Sequence, residues 1–206
     1  FGCELIEQNK VMNLTAITEP KDGATLHFLD SAALLTLADF KGKKVADIGT
    51  GAGFPGMPLK IVEPSMDITL LDSLNKRIDF LKEVCAHIGV EANCVHGRAE
   101  EFAAEHRESY DIVTSRAVAN LRLLSELCLP LVKEGGYFLS MKAVESDAEL
   151  EEAKKTIATL GGKVEQCVDY AIPFTDVRHR LIFIKKVGPT PKKYPRAFAK
   201  MKKNPL

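Results

Sequence analysis

At 206 residues, 46% of them hydrophobic, the chain suits one globular domain, and no window reaches the roughly 18 uninterrupted apolar residues of a membrane span. Five scattered cysteines (Cys3, Cys85, Cys94, Cys128, Cys167) form no CxxC pair, which argues against a disulfide framework or zinc site and for a reducing cytoplasm. The formal net charge of zero hides an asymmetry: eight of the 28 Lys and Arg lie between 185 and 206 without an acid, leaving 20 basic against 28 acidic residues elsewhere.

The chain opens on Phe1, so a native start upstream is expected. Residues 1–40 predict a helical extension in pieces: LIEQNKVM offers one apolar face, and HFLDSAALLTLADF another through Phe28, Ala32, Leu35 and Leu37. KKVADIG reads as a short buried strand, followed by a glycine loop and a short helix from about Gly56 to Glu63, stopped by Pro64. DITLLD is a second strand ending at Asp72. SLNKRIDFLKEVCAHIG is an amphipathic helix with Leu74, Ile78, Leu81, Cys85 and Ile88 on one face and Gly89 as its stop.

VEANCVHG predicts a third strand, AEEFAAEHRE a mostly polar helix and YDIVTSR a fourth strand. NLRLLSELCLPLV places Leu121, Leu124, Cys128 and Leu131 in a stripe, and Gly135-Gly136 leads into a fifth strand, YFLSMK. The charged helix SDAELEEAKKTIATLG precedes two close strands, KVEQCVDYAI and HRLIFIKKV. Strand–helix alternation ending in two strands describes a doubly wound α/β sheet over 41–188 with a late antiparallel pair. Residues 189–206 form a basic tail, which points to an anionic partner, nucleic acid above all, against a plain solvated terminus. Tyr194 and Phe198 add possible stacking groups.

The stretch DIGTGAGFPGMPLK sits between the first strand and its helix. Glycine there allows a sharp turn and a close ligand approach, and Pro55 and Pro58 suit a first helical turn. Helix N-terminus and exposed amides favour an anionic group. About 20 residues on, Asp72 can accept from both ribose hydroxyls. A nucleoside cofactor is therefore expected. GAGFPG matches GxGxxG and would suit NAD, whereas Asp47-x-Gly49-x-Gly51-x-Gly53 resembles motif I of the class I S-adenosylmethionine-dependent methyltransferases. That resemblance implies their Rossmann-like layout, a seven-stranded, mostly parallel sheet closed by an antiparallel strand pair.

A narrower likeness spans about residues 4 to 196. NLTAIT (13–18), HFLDS (27–31), DIGTGAGFPGMPL (47–59), KRIDFL (76–81), GRAEEF (97–102), SRAVANL (115–121) and KKYPR (192–196) occur in that order. Together they resemble the bacterial small-subunit ribosomal RNA guanine-N7 methyltransferase family, also called glucose-inhibited division protein B. The resemblance implies methylation of N7 of one guanosine in the decoding-region loop of 16S rRNA, within the 30S subunit, with S-adenosylmethionine as cofactor and no metal. It implies a cytoplasmic enzyme and no deducible protein partner. Family members begin their N-terminal helix earlier and often end in Gly and Pro after YPR, whereas AFAKMKKNPL here is helix-compatible and lysine-rich.

The resemblance also assigns residues. Gly49, Gly51 and Gly53 approach the methionine part and ribose, and Asp47 sets the loop and faces the amino group through water. Phe54 packs on the cofactor or is a core aromatic beneath the loop. Ala99 and Glu100 match the family's adenine-contacting pair, although Glu100 also suits a helix N-terminus. Arg116 touches the cofactor and can donate to guanine O6, or pairs with a helix acid; Lys142 is a second candidate for holding RNA. His27 and Asp30 read as a buried pair fixing the N-terminal helix or as substrate contacts. Lys192, Lys193, Arg196, Lys200, Lys202 and Lys203 are candidates for phosphate contacts. Guanine N7 carries no proton, so no general base is required. Ser115-Arg116-Ala117 stands where an Asn/Asp-Pro-Pro-aromatic or Pro-Cys signature of other nucleic-acid methyltransferases would fall. The alternatives are another RNA position, a small-molecule acceptor, or a non-catalytic nucleotide-binding regulatory domain.

Overall fold

The computed structural model describes residues 23–116 and 119–206. LIEQNKVM and NLTAIT, within the expected helical extension, lie outside the described residues, as do Ala117 and Val118. A π-helical turn, Gly23–Leu29, runs into α1, Asp30–Leu37. Five strand–helix units follow: β1 (Lys44–Ile48) and α2 (Gly56–Val62), β2 (Asp67–Asp72) and α3 (Asn75–Ile88), β3 (Asn93–His96) and α4 (Ala99–Glu105), β4 (Tyr110–Arg116) and α5 (Leu121–Cys128), β5 (Val132–Ala143) and α6 (Asp147–Thr159). β6 (Gly162–Ala171) and β7 (Arg178–Lys186) then pair, and α7 (Phe198–Lys203) comes last.

The seven strands lie in the order β3-β2-β1-β4-β5-β7-β6. The first five are mutually parallel, and β7 runs antiparallel to both β5 and β6. Strand order reverses between β1 and β4, so a crevice opens outside the carboxyl ends of those strands, the place where sheets of this kind bind ligands. Alternate side chains feed two cores. Val45, Ile68, Leu70, Ile112, Leu139, Leu181 and Phe183 pack under α1 to α3, while Ala46, Leu71, Val113, Phe138, Ile182 and Ile184 face α4 to α7.

The helices follow their patterns with small departures. Ile78, Leu81 and Cys85 of α3 are buried, but Leu74 precedes the helix and is exposed. Gly89 ends α3 in the left-handed conformation at φ 67°. Asn120 caps α5, its side-chain oxygen accepting from the Leu123 amide at 3.0 Å, a contribution of about 1 kcal/mol. β5 starts at Val132, earlier than the YFLSMK run, because Val132 pairs with Tyr110 before the register shifts to Ile112–Tyr137.

The expected basic tail is instead a packed segment. Met201 and Tyr194 are buried in the second core, and burying such a side chain is worth on the order of 1.5–3 kcal/mol. Arg107 donates to the carbonyls of Tyr194, Thr190 and Pro191 at 2.6, 2.6 and 3.0 Å. Lys186, counted among the eight basic residues, is fully buried and donates to the carbonyls of Leu129 and Val132 and to Glu108.

Candidate functional site

β1 delivers the chain to the crevice and the glycine loop turns it back. The amides of Gly49 and Thr50 both donate to the Leu71 carbonyl, at 2.9 and 3.0 Å, stitching the loop to β2. Gly49 takes φ 69° where its backbone lines the crevice. Gly53, at φ 98°, has no room for a side chain, since a Cβ would fall 2.7 Å from Met57 Cγ and 2.8 Å from Leu81 Cδ2. Asp47 organises the loop from beneath. Its Oδ2 accepts the Thr50 hydroxyl at 2.7 Å and the Gly56 amide at 3.0 Å, and its Oδ1 accepts the Thr114 hydroxyl at 3.2 Å. Burial raises the Asp47 carboxyl to about 6 against the pull of these donors.

Asp72 stands at the end of β2, almost fully buried yet on the crevice wall. Its Oδ2 accepts from the Gly51 amide at 2.9 Å and from Arg77 at 3.3 Å, and its Oδ1 from the Leu74 amide at 2.9 Å. A carboxylate offers about four acceptor positions, so a free one remains for a hydroxyl. Displacing the half-buried Arg77 opens a second. The crevice measures about 370 Å³ and is walled by Gly49, Asp72, Gly97, Ala99, Glu100 and Arg116, with Phe198 of α7 on one side.

Arg116, the last residue of β4, stands between this crevice and a second cavity of about 490 Å³. Met141, Lys142, Ala143, Val177 and His179 line the second cavity. The guanidinium donates to Asp30 Oδ2 at 3.2 Å and to His27 Nδ1 at 2.8 Å, and lies 5.2 Å from the centre of the Phe54 ring. An arginine can only donate, so His27 Nδ1 is the acceptor and its proton sits on Nε2. Burial and the Arg116 charge push the His27 imidazole down to about 4, against Asp30, which pulls it up. Asp30 is fully buried, and its Oδ1 accepts from Tyr170 at 2.7 Å and from His179 at 2.9 Å. Burial alone would raise the Asp30 carboxyl, but these donors and the charges of His179 and Arg116 hold it below its ordinary value.

The family model for rRNA small subunit methyltransferase G matches residues 1–179. A ribosomal RNA small subunit methyltransferase G from Lachnoclostridium phytofermentans is 52% identical over 206 residues, covering 98% of this chain and 85% of the relative. The Clostridium botulinum protein of the same name is 49% identical over 204 residues, covering 97% and 85%. The chain belongs to the rRNA small subunit methyltransferase G family. Among solved structures, TrmN from Thermus thermophilus aligns with a TM-score of 0.59 at 20% identity, covering 76% of this chain and 48% of that one. A SAM dependent methyltransferase from Aquifex aeolicus aligns at 0.59 and 18% identity, covering 79% and 92%. These likenesses carry the fold: this is the class I methyltransferase sheet with its closing antiparallel pair.

For a member of this family, the first crevice fits S-adenosylmethionine. A bare backbone at Gly49, a carboxylate with a free acceptor position at Asp72 and an apolar floor at Ile48, Leu71 and Ala99 suit an amino acid joined to a nucleoside. Gly49, Asp72, Ala99, Glu100 and Arg116 all meet there. Asp47, Gly51, Gly53 and Phe54 are not among its lining residues. Asp47 has no exposed surface, and its carboxylate accepts from the loop's own Thr50 and Gly56 and from Thr114. Phe54 is a core aromatic, stacked on His27 at 4.7 Å and edge-on to Phe28.

His27 and Asp30 both hold Arg116, and the Asp30 charge also acts on the His27 imidazole. Lys142 lines the second cavity, but its ammonium donates to the Ala119 carbonyl and to Glu149, each at 2.7 Å, which ties β5 to α6. Arg196 also differs from expectation: its guanidinium makes a two-pronged contact with buried Glu126, at 2.8 and 2.6 Å, and so serves the fold. Lys192, Lys193, Lys200, Lys202 and Lys203 are exposed. Tyr170, His179 and Phe198 escaped assignment to the site, because nothing local in the sequence marks which strand or helix faces a crevice.

Proposed function

We propose that this protein methylates N7 of a guanosine in the decoding-region loop of 16S rRNA, using S-adenosylmethionine, with the assembled 30S subunit as substrate. One observation carries the reading: Arg116 is a shared wall of the cofactor-sized crevice and of a second, largely apolar cavity suited to a flat base. When bound, S-adenosylmethionine supplies a methyl group on a positively charged sulfur.

The chain's own residues then have to align an acceptor. Guanine N7 is a lone pair without a proton, so orientation is the main requirement and no base is needed. Arg116 has five N–H donors, and Asp30 and His27 engage two of them. The rest can donate to guanine O6, fixing the base while leaving N7 clear. His27, neutral at physiological pH, accepts from Arg116 without adding charge. The exposed lysines at 192, 193, 200, 202 and 203 suit phosphates and carry no sequence preference. Specificity then comes from the folded target and from drawing the base out of its stack.

The decisive experiment is methyl transfer from labelled S-adenosylmethionine to 30S subunits from cells lacking this gene, with the product nucleoside identified by mass spectrometry. 7-Methylguanosine in the decoding-region loop is the expected result. Another methylated nucleoside, or labelling elsewhere, overturns the N7 assignment while keeping the enzyme class.

A further inference from the structure

We propose that Phe198 of α7 is a cofactor-contacting residue whose ring covers one face of the nucleoside base in the first crevice; the inference rests on the cofactor reading above and adds a wall to it. Phe198 lines the same crevice as Gly49, Asp72, Ala99 and Glu100 and is only partly buried. An acid at the end of the second strand fixes where the ribose sits. The base then lies beyond Asp72 toward β3, over Leu71, Gly97 and Ala99, and Phe198 stands on the wall of that same crevice. Arg98 stands there with it, its guanidinium carbon 4.5 Å from the ring centre and its Nε donating to Glu100 at 3.3 Å. A flat heterocycle entering this space meets an apolar floor and an aromatic ring, a pairing that stacking favours.

The position of the ring is built in. A six-residue helix has little stability of its own, so α7 is held by its surroundings. Met201 is fully buried, Arg196 is locked to Glu126, and Arg122 Nε and the Thr156 hydroxyl each donate to the Leu206 carbonyl oxygen at 2.6 Å. Binding therefore does not have to order a loose chain, and more of the stacking energy reaches the affinity.

S-adenosylhomocysteine binding to the full chain, measured by calorimetry, tests this. Phe198→Ala and Phe198→Leu are expected to raise Kd by roughly 5- to 150-fold, with the melting midpoint near that of the parent. Because the chain contains no tryptophan, Phe198→Trp installs a unique fluorophore at the crevice, and its emission should change saturably with S-adenosylhomocysteine. That reading stands by itself should the smaller side chains impair folding. A parent that binds, Ala and Leu variants with unchanged Kd and a silent indole would overturn the proposal and leave Phe198 as packing against Arg98. A parent that does not bind S-adenosylhomocysteine overturns the cofactor reading and this inference with it.

Discussion

Arg116 and Asp30 stand 86 residues apart in sequence and meet at 3.2 Å, the carboxylate fully buried and the guanidinium at the junction of two cavities. Asp30 also takes donors from Tyr170 on β6 and His179 on β7. One buried carboxylate therefore ties α1 to three strands and sets the arginine's position. Asp30→Ala leaves the Arg116 charge without its partner, and a loss of roughly 3 kcal/mol in urea unfolding is expected. Methyl transfer should fall further than S-adenosylhomocysteine affinity, since the cofactor keeps its other contacts. Equal stability of variant and parent would show that Arg116 is held by something other than Asp30.

Asp72 separates a structural from a binding role. Its hydrogen bonds to the Gly51 and Leu74 amides hold the loop, so Asp72→Ala disturbs both loop and pocket. Asp72→Asn removes the charge and nearly keeps the shape, but its amide nitrogen takes the place of one of the two oxygens that accept from the Gly51 and Leu74 amides. A ribose hydroxyl bound to a charged acceptor gains about 1.5–3 kcal/mol, so S-adenosylhomocysteine affinity should drop roughly 10- to 100-fold. The unfolding midpoint should be lowered only by the one loop hydrogen bond lost, and by less than in Asp72→Ala, which loses both. Calorimetry on the two variants decides it: unchanged affinity in Asp72→Asn removes Asp72 from the ribose.

Much of this was legible in the sequence where the determinants are local. The Asp47-to-Gly56 stretch announces its turn, and period-2 alternation in LIFIKK gives β7 its two faces. That alternation even places Lys186 on the inward side with Ile182 and Ile184, a signal that a count of charges ignores. The partners of Arg116 were not legible, because Asp30 and His27 lie 86 and 89 residues away and neither carries a local mark of it. The same holds for Glu126, an ordinary acid in a helical stripe until Arg196 folds back onto it across 70 residues.

Among the basic residues near the carboxyl end, structure divides two roles that charge alone merges. Replacing Lys192, Lys193, Lys200, Lys202 and Lys203 with glutamine should leave cofactor affinity intact. The slope of log K for 16S RNA against log salt should flatten by about 0.7–0.9 for each phosphate contact removed. Arg196→Ala should behave differently. It strands the buried Glu126 carboxylate and is expected to destabilise the fold by roughly 3–5 kcal/mol. An unaltered salt slope in the lysine variant would move the RNA contact to another face.

Asp47 yields a prediction with a defined sign. In the unfolded chain its carboxyl titrates near 3.8, whereas burial in the fold raises it to about 6. Between those values the folded protein retains a proton that the unfolded chain has released. Stability attributable to this group therefore falls as pH rises through about 4 to 6 and levels off above. Two units correspond to about 3 kcal/mol. Asp47→Asn does not titrate, and its side chain can still accept from Thr50 and Gly56 and donate toward the Thr114 hydroxyl. Urea unfolding of both proteins from pH 4 to 7 should show the parent losing about 3 kcal/mol relative to the variant. Parallel curves would mean that the carboxylate stays ionised beneath the loop. Because Asp47 supports the loop without facing the crevice, S-adenosylhomocysteine should bind the variant within a few-fold of the parent, and a large loss would return Asp47 to the cofactor's amino group.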